Sequence, residues 1–322
     1  MKLIKPKAEL LLQQPGLEGV YKQIELAGRT CYKSTDKITE DSAKPFVDRM
    51  IKSNHLAMLE HGTVYLKMPT QGIMVQIQDH SFLSYTKNKY SVVNTVMVKD
   101  NPNDVIGILY AFVTTNLRVL IENGWLDDLQ YLCSPTEYHE KRYTFRLVTS
   151  IGVTRELNRH RVNSIAEEST RYCNYTKDKF GRELTFVIPE WINLPEGNAY
   201  WADGLKNYRI MPDDSSQLDI SIRPNEWFTE KEAQLYSNWL RVLDVTERAY
   251  GYAIKNGWKA QQARELLPLC LKSEIVHTAF ASDWKHFFGL RYYGTTGAPH
   301  PNMKQLATLM KDELDKNSIK LD

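Results

Sequence analysis

RYTFRLVTSIGVTRELNRHRVNSIAEESTRYCNY, residues 142–175, changes pattern twice within one short run. Its first nine residues alternate as a strand does, because successive strand side chains point to opposite faces. Ser150 then stands where a hydroxyl can N-cap a helix over IGVTRELNRHR, 151–161. Arg159, His160 and Arg161 would sit at that helix's C-terminal end, where a cation offsets the dipole by about 0.3 to 1 kcal/mol. That explains one or two cations and leaves Arg171 unexplained. An extended ESTRYCNY points Ser169 and Arg171 to the same side. Hydroxyl and guanidinium together suit a phosphate, since arginine offers a rigid fork of donors and each charge-assisted bond contributes about 1.5 to 3 kcal/mol. Three arginines in the stretch imply two anions or a diphosphate. Glu167 adds an acceptor for a ribose hydroxyl or a base N–H. These residue types favour nucleotide binding over a solvated charged face.

The whole chain sharpens that reading. Its 322 residues, 42% hydrophobic and 25% charged, can bury a sizeable core. With 41 basic against 39 acidic residues the net charge is +2, which gives no general grip on nucleic acid or an anionic membrane. Any anion is therefore held locally. The opening MKLIKPKAELLLQQPG has too short an apolar run for a signal-peptide core or a membrane span, so a cytoplasmic chain is expected. Cys31, Cys133, Cys173 and Cys270 lie far apart without a CxxC pair, which predicts reduced, small core residues.

Periodicity predicts helices over 17–27 and 41–54 and a strand over GTVYLKMP, 62–69. An insertion of about 70–141 is expected to hold a polar hairpin around KNK, a turn at KDNPND, and a helix DVIGILYAFVTTNLRVLIEN stopped by Gly124. A long loop is expected over about 189–228. Thr229 and Glu232 form a capping box before a long helix ending at Asn256 and Gly257. Helices are then expected over QQARELL, over SEIVHTAFASDWKHFFGL, and over about 302–316, the last with Leu306, Leu309, Met310 and Leu314 on one stripe. The class is α+β, read as one catalytic domain over 1–322.

The arrangement RHR, seven residues, serine, one residue, arginine, here Arg159-His160-Arg161 with Ser169 and Arg171, resembles the signature of flavin-dependent thymidylate synthases. LEHGT, 59–63, resembles the family's histidine-bearing segment; QARELLPL, 262–269, its arginine helix; HFFGLR, 286–291, the helix end with its late catalytic arginine. The resemblance covers about 15–300 and belongs to the family's long form. It implies methylation of dUMP to dTMP, with carbon from methylenetetrahydrofolate and hydride from NADPH through FAD. It also implies a homotetramer with sites shared between subunits.

By the same resemblance, His61, Thr63, Arg159, His160, Arg161, Glu167, His286 and His300 would contact FAD. Glu156, Arg159, Glu167, Ser169, Arg171, Arg264 and Arg291 would contact dUMP, and Arg291 would be catalytic. A fixed cation beside uracil stabilises its anionic form, about 1.4 kcal/mol for each pKa unit. Four positions depart from the family pattern: Ala166, Phe280 and His286 stand where asparagine is common, and Glu156 where glutamine is. His61 also reads as a hydrogen-bonded core histidine.

Two other classes compete. Tyr172 and Tyr175 among the basic residues could grip single-stranded nucleic acid, against which the near-neutral charge argues. A metal hydrolase would need His55, His61 and His300, which share no metal-ligand spacing on one helix. A thiolate nucleophile would point to Cys173 beside Arg171.

Overall fold

The computed structural model describes residues 1–70, 82–99 and 107–321. Its strands are β1 (Lys2–Ile4), β2 (Lys7–Leu11), β3 (Thr63–Pro69), β4 (Val92–Val98), β5 (Ile108–Asn116), β6 (Arg142–Ser150), β7 (Ser164–Glu167), β8 (Thr185–Val187), β9 (Gly197–Ala202), β10 (Asn207–Pro212), β11 (Ile220–Ser221) and β12 (Lys272–Phe280). Its α-helices are α1 (Gly16–Cys31), α2 (Ala43–Lys52), α3 (Phe82–Thr86), α4 (Leu117–Asn123), α5 (Ile151–Leu157), α6 (Glu230–Lys255), α7 (Ala260–Ala263), α8 (Ala281–Phe288) and α9 (Pro301–Lys316). Mixed helix and sheet is the class expected. Among the described residues no helix is long and apolar enough to cross a membrane.

The central sheet has the order β2-β6-β12-β7 and is antiparallel throughout. Its two faces follow from strand alternation. Phe145, Leu147, Ile275 and Ala279 pack with Trp284, Phe287, Met303, Leu306 and Met310 of α8 and α9. Val276 and Ala166 pack on the other face against Ala27 of α1. Fully burying a residue such as Phe287 contributes about 1.5 to 3 kcal/mol, so the α8 face fixes where the chain after Phe288 emerges. In α9 the buried stripe is Met303, Leu306, Ala307, Met310 and Leu314, while Leu309 is half-buried.

Two expected helices are corrected. Within 104–123, Ile108–Asn116 is a strand and only Leu117–Asn123 is helical, started by the Asn116 side chain accepting from the Val119 N–H at 3.2 Å. Within 273–290, Lys272–Phe280 is a strand buried on both faces, and the helix begins at Ala281. Both runs are apolar enough that helical and strand periodicities coincide, and partners on both sides decide for strand. The supposed loop 189–228 carries β9, β10 and β11, an antiparallel meander that joins β1 and β8 in a five-stranded sheet. The insertion supplies β4 and β5, which pair with β3. KNK lies in a turn between α3 and β4, and the KDNPND turn lies almost entirely outside the described residues.

Other expectations are met. Ser150 accepts from the Val153 N–H, although α5 ends at Leu157 instead of 161. Thr229 and Glu232 cap α6 reciprocally. Of the four free cysteines expected in the core, Cys173 alone is buried, and Cys31, Cys133 and Cys270 are half-buried.

Candidate active site

After Phe288 the helix widens into a π-helical turn, Gly289–Tyr293, which carries Arg291. Such turns re-aim side chains and are frequent at functional sites. Arg291 faces the C-terminal end of α5, where Asn158 to His160 close the helix through N–H bonds to Thr154, Glu156 and Leu157 carbonyls. A cleft of about 580 Å³ opens there, lined by Glu156, Arg159, His160, Arg161, His286 and Arg291 among the residues expected from sequence. Asn163, Asp283 and Leu290 line it too and were not anticipated.

Arg291 is held on two sides. Its Nε–H donates to His160 Nε2 at 3.1 Å, and its Nη1 donates to Glu156 Oε2 at 2.7 Å. Burial, with Arg291 and His286 adding to it, pushes the His160 pKa down to about 4. The ring is therefore neutral near pH 7, and because Nε2 accepts, its proton sits on Nδ1. Glu156 offsets the Arg291 charge, so the cation presented to a ligand ring is weaker than Arg291 alone would give.

The structure places His61 and Thr63 elsewhere. His61 is 0% exposed and its Nδ1 lies 2.9 Å from Thr278 Oγ1, which in turn meets Thr144 Oγ1 at 2.8 Å. Arg142, 9% exposed, donates to the Glu60 carbonyl at 3.1 Å, to Thr63 Oγ1 at 3.2 Å and to Ser164 Oγ at 3.1 Å. Ser164 pairs with Thr278 in register, so this cluster occupies the α1 face. His277, one residue away and on the opposite face, meets Asn163 of the cleft at 2.8 Å. Within one chain the sheet separates His61 and Thr63 from Arg291. The expectation of one shared flavin contact set is not met there, and His61 is a hydrogen-bonded core histidine whose pKa burial drives down to about 3.

The remaining candidates gather beyond the far end of β7, which spans roughly 10 Å at about 3.3 Å per residue. Glu167, on the cleft face, accepts from Ser273 Oγ at 2.9 Å. Residues 169–173 form a turn, with Tyr172 and Cys173 N–H groups donating to the Ser169 carbonyl, not the extended run expected. Arg171 Nε–H donates to Gln261 Oε1 at 3.3 Å, which ties it to α7 and so to the neighbourhood of Arg264. Arg264 itself is 44% exposed and lies 3.4 Å from Glu265. Beneath them Glu168 is paired with Lys272 at 2.7 Å and Lys33 at 3.6 Å, a buried network that closes on itself.

His300 begins α9 beside Trp191, ring centroids 5.8 Å apart, outside the cleft. Among the described residues no group of three or more His, Cys, Asp or Glu could hold a metal. Cys173 is buried, and burial with Glu168 pushes its thiol up to about 11, which removes the thiolate reading.

The family described as thymidylate synthase complementing protein has a model that matches residues 130–318. This chain belongs to that family. The match holds the whole arginine motif, Arg264 and Arg291, and excludes His61 and Thr63. The chain is similar to flavin-dependent thymidylate synthases of Pyrococcus abyssi, 29% identical over 43% of this chain, and Pyrococcus furiosus, 30% identical over 43%. It spans 41% of the length of each. A third, from Geobacter sulfurreducens, is 24% identical over 52% of this chain and 55% of its own length. Among solved structures, a UMP/dUMP methylase, PolB, from Streptomyces cacaoi bound with 5-Br dUMP covers 98% of this chain and 93% of its own at 16% identity and a TM-score of 0.42. Thymidylate synthase complementing proteins are thus the relatives against which the cleft is to be read.

Proposed function

We propose that this protein is a flavin-dependent thymidylate synthase, converting dUMP to dTMP with methylenetetrahydrofolate as carbon donor and NADPH as reductant. The observation that carries the reading is the cleft in which Arg159, His160, Arg161 and Arg291 converge, in a member of this family. Three guanidiniums beside a neutral imidazole fit a diphosphate and a flat ring, the chemistry of FAD. Bound FAD would carry the hydride, and the protein's task is placement and electrostatics. Arg159 and Arg161 would hold FAD phosphate, with His160 and His286 alongside, and Arg291 would lie against the pyrimidine, kept in place by Glu156 and His160. Ser169, Arg171 and Arg264 would bind the dUMP phosphate, and Glu167 would accept from the nucleotide.

In one chain the Arg291 cleft and the Arg171 corner stand apart. A homotetramer in which one copy's cleft faces another copy's Arg171 corner would complete the site. A cytoplasmic location, with neither nucleic acid nor membrane as partner, fits the balanced charge. The purified full chain should be yellow and should release tritium from C5-tritiated dUMP only when NADPH and methylenetetrahydrofolate are both present. Colourless protein that takes up no FAD and releases no tritium would overturn the reading.

A further inference from the structure

Beneath the Arg171 corner the chain buries four charges that touch no candidate ligand position. The Glu168 side chain is 1% exposed, Lys272 10%, Glu274 14% and Lys33 28%. Lys272 Nζ lies 2.7 Å from Glu168 Oε2 and 3.5 Å from Glu274 Oε2, and Lys33 Nζ lies 3.6 and 3.4 Å from the same two oxygens. The Tyr175 hydroxyl donates to Glu168 Oε1 at 3.3 Å. Stability does not account for such a cluster, because taking ions out of water costs so much that an apolar pair of similar volume is often as stable or more so. What buried ions supply instead is a single register. Glu168 immediately precedes Ser169, its N–H donates to the Glu274 carbonyl at 2.7 Å, and the Ser169 N–H donates to the Cys31 carbonyl at 3.0 Å. Lys272 and Glu274 stand on β12, an inner strand of the central sheet, and Lys33 follows the C-terminal end of α1. Sheet, helix end and the segment through Tyr175 therefore all grip the residue from which the 169–173 turn starts. Arg171 is exposed and meets Gln261 at 3.3 Å, so its placement depends on the backbone of that turn.

We propose that Lys272 and Lys33 are positioning residues that act through Glu168 to hold the turn bearing Ser169 and Arg171 in the register that binds a nucleotide phosphate. This rests on the reading of that corner as the dUMP phosphate site and adds residues that touch no ligand. Without the network the turn takes up other arrangements, only a fraction of molecules can grip the phosphate, and the apparent affinity falls by that fraction. The Arg291 cleft stands apart from the turn and keeps its shape. The loss therefore falls on dUMP binding, and turnover of the filled site is kept.

The test compares the full chain with two variants. Glu168→Gln/Lys272→Met removes both charges of the closest pair together, and Lys33→Met removes the most exposed member. Urea midpoints, FAD absorbance, dUMP titration calorimetry and steady-state kinetics are read on each. The double variant is expected to keep its urea midpoint and its FAD, to raise Kd and KM for dUMP by about tenfold, and to hold kcat within about threefold. Unchanged dUMP affinity in the folded double variant makes the network purely structural, which overturns the positioning role and leaves the proposed function standing. Parallel loss of FAD and dUMP overturns it too, because the effect then spreads through the fold. If the double variant does not fold, Lys33→Met decides alone: dUMP weakened by about threefold at an unchanged urea midpoint supports the role, and unchanged affinity overturns it. Wild-type protein that binds neither dUMP nor FAD overturns the proposed function and the positioning role with it.

Discussion

Arg142 and Arg291 stand on opposite faces of the same four-stranded sheet, and their surroundings differ in kind. Arg142 is 9% exposed and gives its N–H groups to a carbonyl and two hydroxyls that tie β3 and β7 to β6. Burial pushes its pKa down to about 10, still high enough to keep it charged at neutral pH. Arg291 is partly exposed, is braced by one carboxylate and one neutral imidazole, and keeps donors to spare. A buried cation with both Nη groups bonded inside its own protein holds the fold, although its Nε finds no partner among the described residues. A cation braced from one side and open on the other is prepared for a ligand. Sequence alone gives both the same letter.

The comparison breaks most visibly at Arg142. Arg142→Leu leaves the Glu60 carbonyl, Thr63 and Ser164 without their donor, and should lower stability by about 3 kcal/mol in urea denaturation. Arg291→Leu should change stability by less than about 1 kcal/mol, because its ion pair is partly solvated. Equal losses from the two variants would erase the distinction.

Next in size is turnover. Arg291→Lys keeps the charge and loses the fork, so thymidylate formation should fall by about 100-fold while FAD absorbance is retained. Loss of FAD with turnover per bound flavin unchanged would move Arg291 from the pyrimidine to the flavin.

The smallest effect is a pH slope. The folded pKa of His160 lies near 4, below the ordinary 6.5, so the unfolded chain binds the proton first as pH falls. Its contribution to stability is complete above about pH 6.5 and is lost as pH drops toward 4. His160→Asn should flatten part of that decline, measured as urea midpoints across the window. His61 and His277, held near 3 in the interior, keep the rest of the slope in wild type and variant alike. A variant with the wild-type slope would mean that the His160 ring is solvated.

Much of the fold was legible where one local signal sufficed. The β6 alternation, the Ser150 cap and the Thr229–Glu232 capping box are short-range patterns, and all three are present. The two apolar runs misread as helices show the limit. In ILYAFVTTN and KSEIVHTAF the β-branched residues and the helix-capping Asn116 were the available signal. In the site, the motif brought Arg159, His160 and Arg161 to Arg291, and Asn163 sat unnoticed inside it. His61, Thr63 and His300 lie elsewhere, since a residue's face of a sheet depends on strand register that no single segment states.

The amino-acid sequence by itself determined that a dense group of arginines, a serine and carboxylates is chemically suited to an anion, because those side-chain chemistries are fixed by residue type. It also determined the family, which rests on motif spacing along 130–318. Only the tertiary structure decided which arginine is structural and which is open. That depends on burial and on where each N–H finds an acceptor, and the acceptors for Arg142 and Arg291 come from segments up to 135 residues away along the chain.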